Sequence, residues 1–500
     1  MDEGRGGAAR IVVLRGWRRP PACRPGPVDR EARRSARRAR AARARGRSRG
    51  ARYVKRASRA SARAAAGAGS MRHPAPVADA PPERARPRVP RRPGRRVAIV
   101  LAGGGARGAY EAGVLAYLFE NVYPELEPGF EFDIVSGTSV GAIHAAWLAA
   151  TSRLRGRARS KALVETWRGM RLRDVLHVRA GDLVGVPLRA VGLRRLARSI
   201  GQEGSEDAVG GLVDLSPLER IVEERIPWRA MRANLARRRP GVLCISCTEV
   251  RTGLNTLFLD GELADTKPWA NDPSTRAVTA EIQGPHVRAS AAIPFLFPAI
   301  RVDGQLYVDG GLRMNTPLSP ALRLGADRVV VVALKHRPLS PAGPTEYPED
   351  AITQPAFLLG KVLNALLMDQ LETELHRMEL VNAWIARGEE EYGPDFLARM
   401  NVALRVRRGT GYRRVRAAVV RPSEDLGMVA ARAWKRGGGR ELGALPALFT
   451  RLALRGVPAD EADLLSYLYF DGRFTAELVD LGYEDARRER DALVEAIAGA

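Results

Sequence analysis

Apolar and polar positions alternate along the chain after Arg96 in a way that predicts short strands separated by longer helices. Short apolar runs with the length of buried strands are RVAIVLAGG, FDIVSG, VLCISCTEV and RVVVVAL. Apolar residues recur at helical spacing in ARGAYEAGVLAYLFENV and VGAIHAAWLAA. Strands that alternate with helices, and that are apolar throughout where they are central, predict an α/β sandwich with a mainly parallel central sheet.

Weaker patterns complete the predicted organisation. Residues 151–240 have mostly helical spacing, NTLFLDG is typical of a partner strand and IRVDGQLYVDGG of a hairpin. After a Pro-rich connector, a long amphipathic helix is predicted near 355–387, then a strand at AAVVRP and closing helices. We therefore expect three parts: a tail over 1–96, an α/β domain over 97–335, and a mostly helical region over 336–500 that packs on this domain.

The positive charge of the chain is concentrated in the tail. The net charge is +25, and residues 1–96 hold 29 Lys and Arg against 6 Asp and Glu, whereas the remainder holds 52 against 50. Few apolar residues accompany these arginines, so burial would not offset the entropy of ordering them, and we predict a disordered basic tail. Three interpretations stay open: an electrostatic arm for nucleic acid or acidic lipid, a solvated extension upstream of a start at Met71, and a transit peptide. Since the body is nearly neutral, nucleic acid is a disfavoured partner.

No apolar run in the sequence has the length of a signal peptide core or a membrane span. The early run IVVL is interrupted by Arg15, well short of the roughly seven residues that a signal needs. Three cysteines in 500 residues argue against a disulfide framework and favour a reducing compartment. Cys244 and Cys247 lie three apart in a predicted strand, hence on opposite faces, which favours core packing over a metal pair. We expect a cytoplasmic protein, with peripheral membrane contact as a further expectation.

A glycine-rich loop, Gly103–Gly108, follows the first predicted strand and satisfies G-x-G-x-x-G. Such a loop binds dinucleotides when an acidic residue ends the next strand. Glu131 and Asp133 stand at about the required distance, but they precede that strand, which weakens the nucleotide interpretation. The strand ends instead in the G-x-S-x-G sequence Gly137–Gly141.

In G-x-S-x-G, Gly137 and Gly141 permit a tight turn from strand to helix that exposes Ser139 at a helix N-terminus. A serine nucleophile needs a base, and the oxyanion that it generates needs N–H donors. Gly103–Gly105 can aim successive N–H groups at one point, and neighbouring parallel strands bring both loops to one crevice. The glycine loop therefore favours a transient oxyanion over a phosphate.

Several side chains are candidates for the base. His144 lies more than one helical turn beyond Ser139 and is expected to pack in the core, while His286 and His336 stand in no recognisable motif. Asp309 follows a predicted strand and precedes Gly310-Gly311, where a carboxylate would stand in a tight turn. Because D-G-G is also ordinary hairpin chemistry, the pattern alone leaves these alternatives open.

The combination GGGARG, GTSVG and DGG, in this order, resembles the patatin-like phospholipases. Further stretches that look similar are LVDLSPLERIV, CTEVRTG and RASAAIPFLFPAIRVDGQLYVDGGLRMNTPL. The resemblance covers roughly residues 97–335, and a fainter likeness continues to YLYFDGRFTAELVDLGYEDA. Many members of the family have DGA where this chain has DGG, a difference that keeps the residue small.

The resemblance implies a patatin-like three-layer sandwich with a Ser-Asp dyad, without histidine, metal or organic cofactor. It implies that Ser139 is the nucleophile and Asp309 the proton acceptor. The loop residues that it assigns to the oxyanion hole, with Arg107 adding charge or bracing the loop, are Gly103, Gly104, Gly105, Arg107 and Gly108. Because an aspartate with an ordinary pKa of about 3.9 is a poor base for serine, we expect the site to raise this pKa, with the apolar stretch IPFLFP as a dry wall.

The resemblance implies a serine hydrolase that cleaves carboxylic esters of lipids or phospholipids through an acyl-enzyme. The stretch IPFLFP and the Leu- and Arg-rich helices of 151–240 are expected to admit acyl chains and meet anionic head groups. The alternatives are a non-catalytic lipid- or membrane-binding protein that retains the fold, a nucleotide-binding protein, and a nucleic-acid binder driven by the basic tail.

Overall fold

The computed structural model of the protein describes residues 95–175, 208–209, 215–294, 297–336, 370–437 and 463–499. The predicted basic tail, except for its last two residues, lies outside the described residues, and so does the Pro-rich connector. The disorder predicted for the tail therefore stays a prediction.

One ten-stranded sheet runs through the described residues. In chain order its strands are β1 (Val97–Leu101), β2 (Ile134–Thr138), β3 (Ala208–Val209), β4 (Val242–Glu249), β5 (Asn255–Asp260), β6 (Thr275–Thr279), β7 (Ala299–Val302), β8 (Gln305–Asp309), β9 (Arg328–Val332) and β10 (Arg416–Val420). Their spatial order is β10-β9-β1-β2-β4-β8-β7-β3, and β5 pairs with β4 and β6. The central run from β10 to β4 is parallel, whereas β7 and β8 form an antiparallel hairpin. The predicted α/β fold with a mainly parallel sheet is confirmed.

Helices cover the sheet. In chain order they are α1 (Gly108–Tyr117), α2 (Val140–Ala150), α3 (Gly156–Gly169), α4 (Leu172–Val175), α5 (Ser216–Arg225), α6 (Trp228–Leu235), α7 (Gly284–Ser290), α8 (Leu318–Arg323), α9 (Leu371–Tyr392), α10 (Phe396–Arg408), α11 (Leu426–Gly437), α12 (Asp463–Leu468), α13 (Gly472–Arg488) and α14 (Arg490–Ala498). Among these described helices, none combines the length and the apolar character that a bilayer crossing requires.

The side chains of β1 alternate between two apolar cores. Ile99 and Leu101 belong to the core that contains α1 and α2, whereas Ala98 and Val100 belong to the core that contains α8 and the start of α9. A strand that is buried on both faces can be apolar at every position, which explains why period-2 alternation is absent from its sequence. The sheet therefore separates two helical layers, as in the predicted three-layer sandwich.

The cysteines of the C-x-x-C sequence also point to opposite cores. Cys244 packs in the α8 core and Cys247 in the α1 core, and both are free thiols. Burial raises the pKa of the Cys244 thiol to about 12, so this thiol stays protonated at neutral pH. The prediction that these cysteines pack in the core is confirmed.

The C-terminal region contributes to both the sheet and a helical layer. β10 pairs with β9, so the AAVVRP segment is an edge strand of the main sheet. The described part of the helix predicted near 355–387 is α9, which begins at Leu371 and continues to Tyr392, whereas residues 355–369 lie outside the described residues. α13 packs on α1 by backbone contact, because a Cβ on Gly113 would collide with the carbonyl oxygen of Val479, and a Cβ on Gly482 with that of Tyr110.

We expect Gly113→Ala to destabilise the protein by about 2 kcal/mol, because the new methyl group must separate α1 from α13. Gly169→Ala is the matched control, since a Cβ at this last residue of α3 would meet nothing within 4 Å. The control should be neutral or slightly stabilising, because alanine restricts the unfolded chain. Urea unfolding followed by circular dichroism measures both values, and equal midpoints would contradict the close helix contact.

Candidate active site

Ser139 lies in a strained turn between β2 and α2. Its φ of 55° and ψ of −124° place it outside the regions that residues with a side chain normally adopt. As the N-cap of α2, it stands where the helix dipole favours negative charge. The turn therefore has the nucleophile-elbow geometry that the G-x-S-x-G sequence predicts.

The two glycines of this turn allow it to pack against the end of β1. A Cβ on Gly137 would collide with the carbonyl oxygen of Gly141, and a Cβ on Gly141 would collide with that of Leu101. The backbone contacts that they permit, and not a positive φ, are the reason why both positions need glycine.

The glycine loop lies beside Ser139, because β1 and β2 are parallel neighbours with Leu101 opposite Gly137. A Cβ on Gly103 would lie 3.1 Å from the Cβ of Ser139, and Gly105 lines the same cavity as Ser139. The structure thus brings the loop and the turn to one edge of the sheet, as the sequence analysis expects.

Asn315 forms two hydrogen bonds with Gly103, the first glycine of the loop. The N–H of Gly103 donates to the carbonyl oxygen of Asn315 (2.9 Å), and Nδ2 of Asn315 donates to the carbonyl oxygen of Gly103 (3.1 Å). The Gly103 N–H is therefore occupied, which narrows the predicted oxyanion hole to Gly104 and Gly105. Within the described residues, neither of these two glycines donates one of the loop hydrogen bonds. The sequence analysis missed Asn315, although a polar residue soon after the DGG turn was an available signal.

Arg107 contacts the C-terminal region. Its Nε donates to Oγ of Ser466 (2.7 Å), and its guanidinium lies 4.1 Å from the centroid of the Tyr467 ring. Of the two roles that the resemblance leaves open for Arg107, these contacts support bracing of the loop. Gly108 begins α1, where a larger residue would collide with Val140 and Trp167, so its role is packing.

Asp309 ends β8 at the level of Ser139. β4 pairs with β2 as far as Thr138 opposite Ser246, and it pairs with β8 from Cys247 opposite Asp309. β2 and the antiparallel strand β8 thus pair with successive segments of β4, and the end of β8 faces the end of β2 near Ser139. The carboxyl of Asp309 therefore approaches the serine from the opposite direction.

The Asp309 carboxyl is almost completely buried and only partly hydrogen-bonded. The N–H of Gly311 donates to Oδ1 (2.7 Å), whereas Oδ2 has no hydrogen-bond partner of good geometry among the described residues. Burial raises the pKa of Asp309 to about 7, and this rise is opposed by hydrogen bonding with the Ser139 side chain and the Gly311 backbone. The raised pKa agrees with the expectation from the sequence.

Glycine at position 310 lets the turn after Asp309 pack against β4, because a Cβ there would collide with the carbonyl oxygen of Ser246.

Ser290 holds the turn that carries Ser139. Its fully buried Oγ accepts the N–H of Ser139 (2.9 Å) and donates to the carbonyl oxygen of Ser246 (2.7 Å). The N–H of Ser139 is thus occupied as well. Sequence analysis missed this role, because the run RASAA indicates only small residues.

His144 has two partners apart from Ser139. Its Nε2 accepts the indole N–H of Trp167 (2.7 Å), so its Nδ1 carries the proton that is donated to Glu111 (2.7 Å). Burial raises the pKa of Glu111, and its hydrogen bond to His144 opposes that rise. His144 is a packed side chain, as the sequence analysis expects.

The other two histidines considered as bases also have partners elsewhere in the described residues. Nδ1 of His286 accepts the N–H of Gln283 (3.2 Å), and Nδ1–H of His336 donates to the carbonyl oxygen of Pro422 (2.9 Å). Asp309 is therefore the candidate base whose pKa is affected by the Ser139 side chain.

An apolar cavity of about 200 Å³ reaches Ser139. Its wall includes Ile143 of α2 and Leu163 of α3. Ile293 and Phe297, from the stretch IPFLFP, line it as well, whereas residues 295–296 of this stretch lie outside the described residues. The site thus has, beside Ser139, the apolar wall that the sequence analysis expects from IPFLFP.

Comparisons with known proteins identify a family domain in this chain. Residues 99–322 match the family model of the patatin-like phospholipases. NTE family proteins from Mycobacterium bovis and from two strains of Mycobacterium tuberculosis, all described by their names as uncharacterized, are each 26% identical over 258 residues. The alignments cover 52% of this chain and 53% of each relative. This chain thus spans about half the length of the curated relatives that it matches.

A solved structure, that of VipD from Legionella pneumophila, matches 80% of this chain and 67% of its own chain, with 13% sequence identity and a TM-score of 0.30. The segment that matches the family model contains the glycine loop, the turn at Ser139 and the turn at Asp309. Residues 99–322 of this chain therefore form a domain of the patatin-like phospholipase family, as the three motifs predict.

Proposed function

We propose that the protein is a lipid acyl hydrolase of the phospholipase A type, with Ser139 as nucleophile and Asp309 as base. The observation that carries the proposal is the buried carboxyl of Asp309, whose pKa of about 7 suits a base at neutral pH, beside the hydroxyl of a strained turn. The patatin-like phospholipase family implies lipid acyl hydrolase activity, and the apolar cavity supports a lipid substrate.

In the proposed first step, Oγ of Ser139 attacks the carbonyl carbon of the ester while its proton passes to Asp309. Oδ2 receives the proton, because Oδ1 already accepts the N–H of Gly311. Desolvation disfavours the charged carboxylate, so protonation of Asp309 relieves a cost that is present before the reaction.

The N–H groups of Gly104 and Gly105 would stabilise the negative oxygen of the tetrahedral intermediate, assisted by the N-terminus of α2. Collapse of the intermediate breaks the ester C–O bond, and the leaving alcohol takes the proton from Asp309. The acyl group then remains on Ser139 as an ester. A water molecule attacks this ester with Asp309 again as base, which releases the fatty acid and restores the serine.

The cavity beside Ser139 would hold the acyl chain. Each buried CH₂ group contributes about 0.8 kcal/mol, so long acyl esters should be preferred to acetate. Arg225 also lines the cavity, where its guanidinium would meet an anionic head group such as that of a phospholipid. We expect the protein to meet such substrates by peripheral contact with a membrane.

Ser139→Ala should abolish both ester hydrolysis and labelling by a serine-directed phosphonate, because the nucleophile is lost. We expect kcat to fall by about 10⁴-fold or more. Fatty acid release from phospholipid vesicles and mass spectrometry of the phosphonate adduct measure the two effects. Ser274→Ala, in an exposed loop, is the control and should keep both activities. Labelling that persists in Ser139→Ala would refute the nucleophile assignment.

The value of kcat/KM should rise with pH through about 7 and then level off, because Asp309 must be deprotonated to accept the serine proton. At pH 5 it should be about 100-fold below its plateau, since only the ionised fraction is active. Hydrolysis of a water-soluble acyl ester across this range gives the profile. A profile that is flat between pH 5 and 8 would contradict the role of Asp309.

Asp309→Asn should abolish activity and stabilise the fold at high pH. The pKa of Asp309 in the folded state lies above its ordinary value, so the stability it contributes is present below about pH 4 and is lost as pH rises through about 7. Asparagine carries no buried charge, and it should raise Tm by about 3 °C or more at pH 8 but hardly at pH 4. Thermal unfolding measures the change in Tm, and an equal change at pH 4 and pH 8 would contradict a raised pKa of Asp309.

A further inference from the structure

A short segment near the C-terminus, Ser466–Phe470, reaches the site from outside the 99–322 domain. It contains the end of α12 and the residues that lead to α13. We call this segment the C-terminal clamp. It contacts the glycine loop on one side and the acyl cavity on the other.

The first side of the clamp holds the glycine loop. The backbones of Gly105 and Tyr467 touch, because a Cβ on Gly105 would collide with the carbonyl oxygen of Tyr467. Ser466 is fully buried and accepts Nε–H of Arg107, while the Arg107 guanidinium lies over the Tyr467 ring. Arg107 and Ser466 are both buried, so their hydrogen bond is shielded from water and is stronger than a surface contact. The same loop carries the N–H groups of Gly104 and Gly105.

The second side of the clamp forms part of the cavity wall. The clamp residues that line the cavity are Tyr467, Leu468 and Phe470. The Phe470 ring stacks on Trp167, with centroids 6.4 Å apart and planes 13° apart. Trp167 is itself held by its hydrogen bond to His144, on the helix that begins at the nucleophile. The clamp therefore contacts both the glycine loop and the wall of the cavity.

The clamp is anchored by α13. The carboxylate of Asp471 accepts the N–H of Arg473 (2.9 Å) and so caps this helix. Tyr469 packs between Trp434 and Phe474, at centroid distances of 5.6 and 5.5 Å. Since α13 packs on α1, and α1 directly follows the glycine loop, the loop and the clamp are held by one helix pair.

We propose that the C-terminal clamp contributes to catalysis and to acyl-chain specificity at the proposed active site. Arg107 and Ser466 are positioning residues that hold the N–H groups of the oxyanion hole. Leu468 and Phe470 set the length of the acyl chain that the cavity accepts. This inference rests on the proposed hydrolase function and extends its site to residues beyond the family domain.

Phe470→Ala tests the specificity role, because it removes a ring from the cavity wall. We expect kcat/KM for p-nitrophenyl palmitate, relative to that for the butyrate, to rise about tenfold. Leu468→Phe narrows the cavity and should shift the ratio towards butyrate. Phe132→Ala is the matched control, since Phe132 is also buried but lies outside both the clamp and the residues that line the cavity. It should lower stability without changing the ratio.

A ratio that is unchanged in Phe470→Ala, or changed equally in Phe132→Ala, would overturn the specificity role. If either alanine variant does not fold, Phe470→Leu and Phe132→Leu are compared in the same way. The smaller loss of volume should then give a smaller change of the same direction in Phe470→Leu alone.

Ser466→Ala tests the positioning role, because it removes the acceptor of the Arg107 hydrogen bond. Phosphonate labelling carried to completion counts the functional Ser139 sites, so kcat per labelled site separates lost positioning from lost folded protein. We expect kcat per site to fall about tenfold with KM nearly unchanged, and Ser466→Thr to restore part of the loss. A merely structural role would lower the number of labelled sites while kcat per site stays constant, and that result would overturn the positioning role.

Wild-type protein and Ser139→Ala are assayed beside these variants. If the wild type hydrolyses no ester, the proposed function fails and the clamp inference fails with it. If the wild type is active, Ser139→Ala is inactive, and the clamp variants behave like their controls, only the clamp inference fails.

Discussion

Burial of one carboxyl group, that of Asp309, is the constraint on which the rest of the site depends. In water this group would be ionised at neutral pH and would be a weak base, whereas inside the sheet its pKa lies near 7. A buried carboxylate without a full set of hydrogen bonds is costly, so the surrounding structure must be rigid enough to keep water away. The fold meets this requirement by placing Asp309 within the sheet, where the end of β2 faces the end of the antiparallel strand β8.

Rigidity around the dyad comes mainly from backbone contacts. The turn at Ser139 packs directly on the end of β1, and the turn after Asp309 packs on β4. Two buried side chains add hydrogen bonds to main-chain groups: Ser290 links the turn at Ser139 to β4, and Asn315 binds the glycine loop. Such contacts leave little freedom for the strained serine to relax, which is what a preorganised site requires.

Local chemistry explains most of what the sequence analysis predicted correctly. Strands such as β1 are recognisable because burial on both faces makes them apolar throughout, and the turn at Ser139 is recognisable because G-x-S-x-G acts within five residues. The choice between Asp309 and the histidines is different in kind. It depends on β8 lying next to β4, and strand order is a property of the whole sheet. Only the resemblance to a family supplied it in advance.

The features that were missed depend on contacts between residues far apart in the chain. The carbonyl oxygen of Asn315 accepts the N–H of Gly103, which the sequence analysis assigns to the oxyanion hole, and these two residues are 212 positions apart in the chain. Ser466, which bonds Arg107, is 359 positions away from it. No spacing rule operates over such distances, because these contacts follow from the tertiary packing of distant segments and not from periodicity.

The packing of α13 on α1 also has a consequence for biosynthesis. Chains begin to fold from the N-terminus while they are being made, so the strands that carry Ser139 and Asp309 leave the ribosome well before α13. Until α13 is translated, the surface of α1 that it covers stays open to solvent. The domain that carries Ser139 and Asp309 therefore completes its core only when a segment outside residues 99–322 has been made.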